Sequence, residues 1–291
     1  MKRLILLTNS VAKSALEAFL WYRYKLKLST TRVSNQGVDF LLKKEYHSIE
    51  KGLSLRNSRP IFGKEPRENV KELIKRTQSR ELAGFAGEAL EEYENRRLKD
   101  NLRKGGSFYV SKDDMFSHST PKEFISSRRS VRQYEPGSVS EQEVADLMRL
   151  SIEAPSVCNR QHWRVVIIRD KSLIDKVLTY QNGNRGFTQE IFNLAVICTD
   201  RAAFSDLERA QMDFDSGLFT QQFLLSLHAM RLAACPLNAA MSPKRTFGVH
   251  RALGLSHRFK IGAFVSFGYP SEKFHVAHSS RPDVGTFYDL H

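Results

Sequence analysis

The chain has 291 residues and a mass of 33.4 kDa, with 41% hydrophobic and 26% charged residues, values ordinary for a soluble protein that buries a core. No run approaches the ~20 consecutive apolar residues of a membrane span. Three cysteines, Cys158, Cys198 and Cys235, are too few and too irregularly spaced for a disulfide framework or a metal site. The formal net charge of +13 is uneven, with 24 basic against 15 acidic residues in positions 1–120 and 21 against 17 in the remainder; basic surface suits nucleic acid, anionic lipid or a phosphorylated ligand, and charge alone does not choose among them.

The chain opens with MKRLILLTNSVAK, whose apolar run LILL is shorter than the ~7–15 residues of a secretory leader; the expectation is a retained N-terminus and a cytoplasmic protein. Residues 1–120 read as mostly helical. SVAKSALEAFLWYRYKLKL mixes apolar and basic residues at helical spacing, and PRENVKELIKRTQSREL and AGEALEEYENRRLKDNLR read as two further helices with solvated charged faces. GLSLRNSRPIFGKEP is punctuated as a loop by Gly and Pro, and RKGGSFYVSKDDMFSHSTP reads as a linker ending near Pro121.

From Pro121 the pattern changes. PKEFISS is a short helix. Arg128, Arg129 and Arg132 then crowd one turn around Ser130. Guanidinium groups bind phosphate oxygens bidentately and a serine hydroxyl adds a further bond, so the turn is a candidate anion clamp. Ser140 and Glu143 form a capping box for a helix expected to run to Pro155. A polar turn of Ser156, Cys158 and Asn159 leads into the strand WRVVIIRD, the helix KSLIDKVLTY, the glycine-rich loop QNGNRGF and the strand NLAVICTD. The segment MDFDSGLFTQQFLLSLHAMRLAA is apolar on nearly every face and should be a buried helix, and IGAFVSFGYP is the last strand. Helices interspersed with about three core strands make an α+β plan. Cys198, inside an apolar strand, reads as a small buried hydrophobe. His275 and His278, and likewise His250 and His257, read as surface histidines with no third metal ligand.

The arginine turn and Pro155-Ser156-Val157-Cys158-Asn159-Arg160-Gln161-His162-Trp163, some 25 residues later, together resemble the FMN-dependent nitroreductase family, with its R-x-S-x-[KR] turn and P-S-x-x-N-x-Q-P-W turn. His162 stands where the family usually has proline. The buried long helix, GYP at a strand end and Arg281-Pro282 fit as well. The resemblance covers about residues 121–291. It implies a nitroreductase-like fold: a central mixed sheet flanked by helices, assembled as a domain-swapped homodimer, with a helical extension over 1–120.

The same resemblance implies FMN as cofactor and NAD(P)H as reductant. It puts Arg128 and Arg281 on the FMN phosphate, Ser130 on the ribityl chain or phosphate, and Arg132 by flavin N1 and O2, with Arg129 in the same clamp. A fixed cation at that edge stabilises the charge left when hydride arrives at N5. Pro155, Ser156 and Val157 would come from the other subunit, with Cys158 and Asn159 nearer the substrate. Pro236, Leu237, Asn238 and Ala239 match the family's P-x-E-G turn over the flavin, with Asn238 in place of the acid and Ala239 in place of glycine, where a positive φ would strain it. Asn184 or Arg185 would add a flavin contact. Ser279 stands where many relatives carry a base, which lightens the phosphate grip.

No side chain is assigned a proton-transfer role and no metal is expected. The implied activity is ping-pong hydride transfer to a nitro compound, quinone or related acceptor. The segment EYHSIEKGLSLRNSRPIFG resembles one found ahead of nitroreductase domains associated with cell-surface polysaccharide genes. The rival reading is a flavin-binding protein without NAD(P)H activity whose basic N-terminus docks on a membrane surface or partner. No nucleic-acid signature supports a nucleic-acid ligand.

Overall fold

The computed structural model describes residues 35–56, 62–95, 106–204, 208–281 and 283–291. The expected helix over 10–28 and the end of the one expected over 86–103 lie outside them. The described chain forms two compact units, one built from 112–271 and the other from the residues before 112 together with 272–291. The chain therefore leaves the second unit near residue 111 and returns to it after residue 271.

The second unit holds α1 (Asn35–Leu53), α2 (Lys64–Arg76) and α3 (Arg80–Asn95). Val38, Leu41, Leu42, Tyr46 and Ile49 recur at helical spacing on α1 and bury against Val70 and Leu73 of α2 and Leu82, Phe85, Ala86, Ala89, Leu90 and Tyr93 of α3. One helix was expected over 66–82; the structure has two. Thr77 turns extended, its hydroxyl donates to Asp39, and Ser79 Oγ accepts the Leu82 N–H at 3.2 Å. Short hydroxyl side chains here satisfy the backbone in place of the helix ladder.

The expected linker over 103–121 is likewise corrected. It contains β1 (Ser107–Ser111), which pairs antiparallel with β6 (Lys273–Ala277), and then α4 (Lys112–Phe116). Glu92 anchors the start of β1, accepting from Ser107 N at 2.7 Å and Ser107 Oγ at 2.6 Å. Gly106 makes room for that carboxylate: at φ +82° it holds a conformation that side chains avoid, and a Cβ there would lie 2.0 Å from Glu92 Oε2.

The first unit continues with α5 (Pro121–Ser127), α6 (Glu141–Ser151), β2 (Trp163–Ile168), α7 (Lys171–Leu178), β3 (Asn193–Asp200), α8 (Arg209–Ala229), β4 (Ala233–Leu237), α9 (Pro243–Leu253) and β5 (Phe259–Gly268). The capping box at α6 forms as expected, with Ser140 and Glu143 bonding reciprocally. The helix stops at Ser151 rather than at Pro155.

The sheet has four strands in the order β2-β3-β5-β4. The extra strand, β4, carries Cys235, Pro236 and Leu237, which were expected in a turn. Every strand pair in it is antiparallel; parallel pairing enters through one bridge, Ser130 to Ala234, so the expected mixed sheet is corrected to an antiparallel one with a parallel graft. Pro236 fits because β4 is an edge strand, where a missing N–H breaks no ladder.

The core sits between sheet and helices: Phe219, Phe223 and Leu227 of α8 and Leu147 of α6 against Ala195, Ile197, Val265 and Phe267. α8 buries one broad face but exposes Asp213, Phe214, Gly217 and Gln221, which corrects the expectation of burial all round. No helix among the described residues is long and apolar enough to cross a membrane.

Candidate functional site

The arginine segment runs beside β4. Val131 N donates to Ala234 O at 2.9 Å, and Glu135 N donates to Tyr269 O at 2.9 Å. Tyr134 pins the segment from beneath. Its ring is buried, and its hydroxyl lies 2.8 Å from Val131 O and 3.0 Å from Ser266 O. Burial, with Cys235 beside it, holds that phenol well above its usual range, so it stays a neutral hydrogen-bonding post.

The three arginines then diverge in role. Arg129 folds back, donating to the carbonyls of Ser126 and Arg128 at the end of α5. Arg128 is half-buried. Arg132 is 6% exposed, and its Nε is buried with no hydrogen-bond partner, while Nη1 reaches Ser130 O at 3.4 Å. A guanidinium left in that state calls for an acceptor or anion, because a buried charge without one is costly.

Behind the turn lies a ring of aromatics. His228 of α8 is buried, its Nε2 2.9 Å from Ser127 Oγ, with Phe116, His118 and Phe124 stacked around it. Burial first, then His118, Arg128 and Arg129, push its pKa down to about 4. The imidazole is therefore neutral at neutral pH, and its Nε2 holds Ser127 at the end of α5.

Asp215, a position the sequence reading passed over, organises the second motif. One acid stands on the buried face of α8, 0% exposed. Its Oδ2 accepts from Val157 N at 2.9 Å and lies 2.8 Å from His162 Nε2; its Oδ1 accepts from Gln211 at 2.7 Å. Burial pushes its carboxyl up, but the bonds from His162, Val157 and Gln211 outweigh it and leave the pKa lowered. His162, which departs from proline in the resemblance, is the imidazole of this buried pair. Asp213 stands two residues away and is exposed, so the sequence pattern alone does not single out Asp215.

Around that anchor Cys158, Asn159 and Gln161 all take positive φ, near 50°. Ser156 Oγ accepts from Gln161 N at 3.0 Å, and Asn159 Oδ1 accepts from Gln161 Nε2 at 2.8 Å. The resemblance puts Ser156 and Asn159 near the cofactor and substrate; the structure uses both side chains to close the turn. Arg160 is drawn aside to Glu208 at 2.9 Å and the Ala203 carbonyl at 2.8 Å.

The third motif docks on the glycine-rich loop. Gln181 Nε2 donates to Asn238 O at 2.8 Å, and Asn182 Nδ2 to Ala240 O at 3.3 Å. Asn238 Oδ1 accepts from Ala240 N at 3.0 Å. Ala239 is not among the residues with positive φ, so alanine there carries none of the strain anticipated. Asn184 is buried and donates to Leu178 O at 2.8 Å, tying its loop to the end of α7.

The structure therefore brings Ser130 next to β4, and β4 leads into Asn238 beside Gln181. The Pro155–Asn159 turn is held on α8. Arg281 belongs to the other unit, where its guanidinium is exposed and donates to Ser279 O. Cys198 is a buried free thiol pushed up to about 12 by burial, as its apolar surroundings implied. The surface reading fails for His250, which is buried with Nδ1 3.0 Å from Leu255 O; His275 and His278 are half-buried and stack on Tyr109 and Phe108. No group of three metal-ligating side chains occurs among the described residues.

Comparison with known proteins bears on the first unit. Residues 125–184 and 180–269 match the Nitroreductase family model. The NADH dehydrogenase of Thermus thermophilus is 25% identical over 184 residues, covering 52% of this chain and 87% of its own. Among solved structures, a candidate NADH dehydrogenase/NAD(P)H nitroreductase from Parabacteroides distasonis superposes with a TM-score of 0.51 at 24% identity, over 58% of this chain and 96% of that one. A candidate nitroreductase from Desulfovibrio desulfuricans, solved in complex with FMN, does so with a TM-score of 0.51 at 24% identity, over 60% of this chain and 98% of that one. The fold of the matched region is nitroreductase-like.

Proposed function

We propose that this chain, whose residues 125–269 match the Nitroreductase family, is an FMN-dependent NAD(P)H oxidoreductase. The observation that carries the reading is Arg132, a buried guanidinium with an unpartnered Nε on a segment stitched to β4. That donor set fits an electron-rich, anionic cofactor edge. When bound, FMN would supply the redox chemistry, taking hydride from NAD(P)H and passing it in a ping-pong sequence to a nitro compound, quinone or related acceptor.

The protein's part is to bind and polarise. Arg128 and Arg281 are proposed as phosphate contacts, Ser130 as a hydroxyl contact, and Arg132 as the cation at the pyrimidine edge. Arg129 braces the turn through its own backbone. Pro155, Ser156, Val157 and Asn159 contribute surface and main-chain groups, since the polar side chains among them are engaged in the turn. Pro236, Leu237, Asn238 and Ala239 would line the flavin face, and Asn184 would act by fixing the loop that backs them. The resemblance of the EYHSIEKG segment extends the proposal to an acceptor in a polysaccharide pathway, to be screened against sugar-linked acceptors.

Purified protein should be yellow and should bleach on anaerobic addition of NADH or NADPH; a coloured protein that does not bleach overturns the reductase reading and favours the flavin-binding module. Arg128→Ala should release FMN, losing ~1.5–3 kcal/mol of charge-assisted bonding. Arg132→Ala should retain FMN but lower its two-electron midpoint potential by ~30–60 mV, about 1.4–2.8 kcal/mol. Equal potentials would remove the electronic role of Arg132.

A homodimer is proposed on the exposed apolar side chains at the end of α6 and on α8. Leu150, Ile152 and Phe214 are 42%, 56% and 60% exposed, and Gln222 of α8 bonds the Leu150 carbonyl. The neighbouring face of α8 approaches β5 closely: a Cβ at Gly262 would lie 1.9 Å from Ser216 Oγ. A solution mass of twice 33.4 kDa by sedimentation is the expected result; a monomer at micromolar concentration would refute it.

A further inference from the structure

The stretch from Ser130 to Glu135 is tied to its own unit's sheet at both ends. Ser130 bridges Ala234 of β4, and Val131 N donates to the Ala234 carbonyl; Tyr134 bridges Pro270, and Glu135 N donates to the Tyr269 carbonyl. Arg132 lies between these attachments. There the Val131 carbonyl is held by a side chain, the Tyr134 hydroxyl at 2.8 Å. That carbonyl belongs to the planar peptide unit whose nitrogen is that of Arg132. Its orientation therefore sets the direction in which the Arg132 side chain leaves the segment.

The Tyr134 hydroxyl has one proton and three acceptors within reach. Val131 O stands at 2.8 Å, Ser266 Oγ at 2.9 Å and Ser266 O at 3.0 Å. Ser266 Oγ has a second neighbour of its own, the Cys235 carbonyl, at 3.3 Å. A hydroxyl donates once and accepts through two lone pairs. One arrangement uses both of the shortest contacts: Ser266 Oγ donates to the tyrosine oxygen, and Tyr134 donates to Val131 O. Any arrangement that turns the phenol proton toward Ser266 takes it away from the Val131 carbonyl. Val131, Tyr134 and Ser266 are all buried, so water does not replace that bond and its loss is costly.

We propose that Tyr134, oriented by Ser266 of β5, is a positioning residue for Arg132: its phenol fixes the Val131–Arg132 peptide and so aims the guanidinium at the electron-rich edge of the flavin. That role rests on the reading of Arg132 as the cation at the pyrimidine edge. Arg132 Nε is buried with no hydrogen-bond partner, and Nη1 has only a 3.4 Å contact to Ser130 O, so the guanidinium's own bonds do little to set its direction. Negative charge develops at that edge on reduction, and its attraction to a cation weakens with distance. A misaimed guanidinium thus costs the reduced form more than the oxidised form, and the loss reads as a lower potential.

The test is the two-electron midpoint potential of FMN bound to the full chain, with the Kd for oxidised FMN followed by flavin fluorescence. Tyr134→Phe keeps the ring and removes only the hydroxyl. It should leave the Kd for oxidised FMN near wild type and weaken binding of the reduced form roughly fivefold relative to the oxidised form, about 20 mV. Tyr134→Phe combined with Arg132→Ala should show the potential of Arg132→Ala alone, because an absent guanidinium cannot be misaimed. Tyr269→Phe is the control. It also removes a tyrosine hydroxyl bond, to Glu143 at 2.7 Å, from a residue that holds the same segment through Glu135 N, and it should keep the wild-type potential. Equal shifts in Tyr134→Phe and Tyr269→Phe would mark general loosening and overturn the proposal. A wild-type potential in Tyr134→Phe, or additive shifts in the double variant, would overturn it too. If Arg132→Ala itself keeps the wild-type potential, the reading of Arg132 falls and its positioning by Tyr134 falls with it. A shift in Arg132→Ala without one in Tyr134→Phe leaves that reading standing and removes only the tyrosine. Should Tyr134→Phe not fold, Ser266→Ala runs the same cycle with the same expected direction, since it removes the donor that turns the phenol proton toward Val131.

Discussion

Asp215→Ala should destabilise the protein by about 3–5 kcal/mol, the usual cost of removing one partner from a buried pair. The substitution strands three donors at once: His162 at 2.8 Å, the Val157 amide at 2.9 Å and Gln211 at 2.7 Å. The His162 side chain is 1% exposed, so water does not readily replace the lost carboxylate. Asp215→Asn keeps an acceptor in place and should lose less, about 1–3 kcal/mol. Urea unfolding at neutral pH measures both. A loss under about 1 kcal/mol for the alanine variant would show that the Pro155–Trp163 turn does not depend on this anchor. The effect should also be local: the Trp163 indole donates to the main-chain carbonyl of Asp215 at 3.3 Å, and that bond survives the change.

Acidification should destabilise the fold through His228. Its folded pKa of about 4 lies below the ordinary value of 6.5, so between those values the unfolded chain binds a proton that the folded chain refuses. Stability is then full above about pH 6.5 and falls as pH drops toward 4, by about 3 kcal/mol for this one group. The groups facing it set the direction. Burial comes first, followed by His118 and the guanidinium groups of Arg128 and Arg129, none of which welcomes a second positive charge. His228→Gln should flatten the pH 4–6.5 slope of unfolding free energy relative to wild type. An unchanged slope would place the acid sensitivity elsewhere.

Much of the first unit was legible because its signals are local. The strand NLAVICTD is a continuous apolar run, and β3 occupies those eight residues. Ser140 with Glu143 announced the start of α6 through side chains that bond their own first turn. Elements whose cause lies far along the chain were not legible. β1 and β6 are five residues each and pair across more than 160 positions. Each has three apolar residues, but a run of five is too short to declare a strand without its partner. β4 was hidden by Pro236, which a strand tolerates only at a sheet edge, and edges are not written in local pattern.

The candidate site divides along the same line. Residue types alone put three cations around Ser130 and identified a turn between Pro155 and Trp163, because arginine chemistry and proline geometry act within a few residues. Which arginine keeps an unsatisfied buried Nε, which polar side chains are consumed in closing a turn, and why His162 is tolerated were decided by tertiary packing. Those outcomes depend on what lies opposite: Asp215 brought by α8 and Ala234 by β4. Desolvation and hydrogen-bond satisfaction are properties of the assembled neighbourhood, so only folding could assign them.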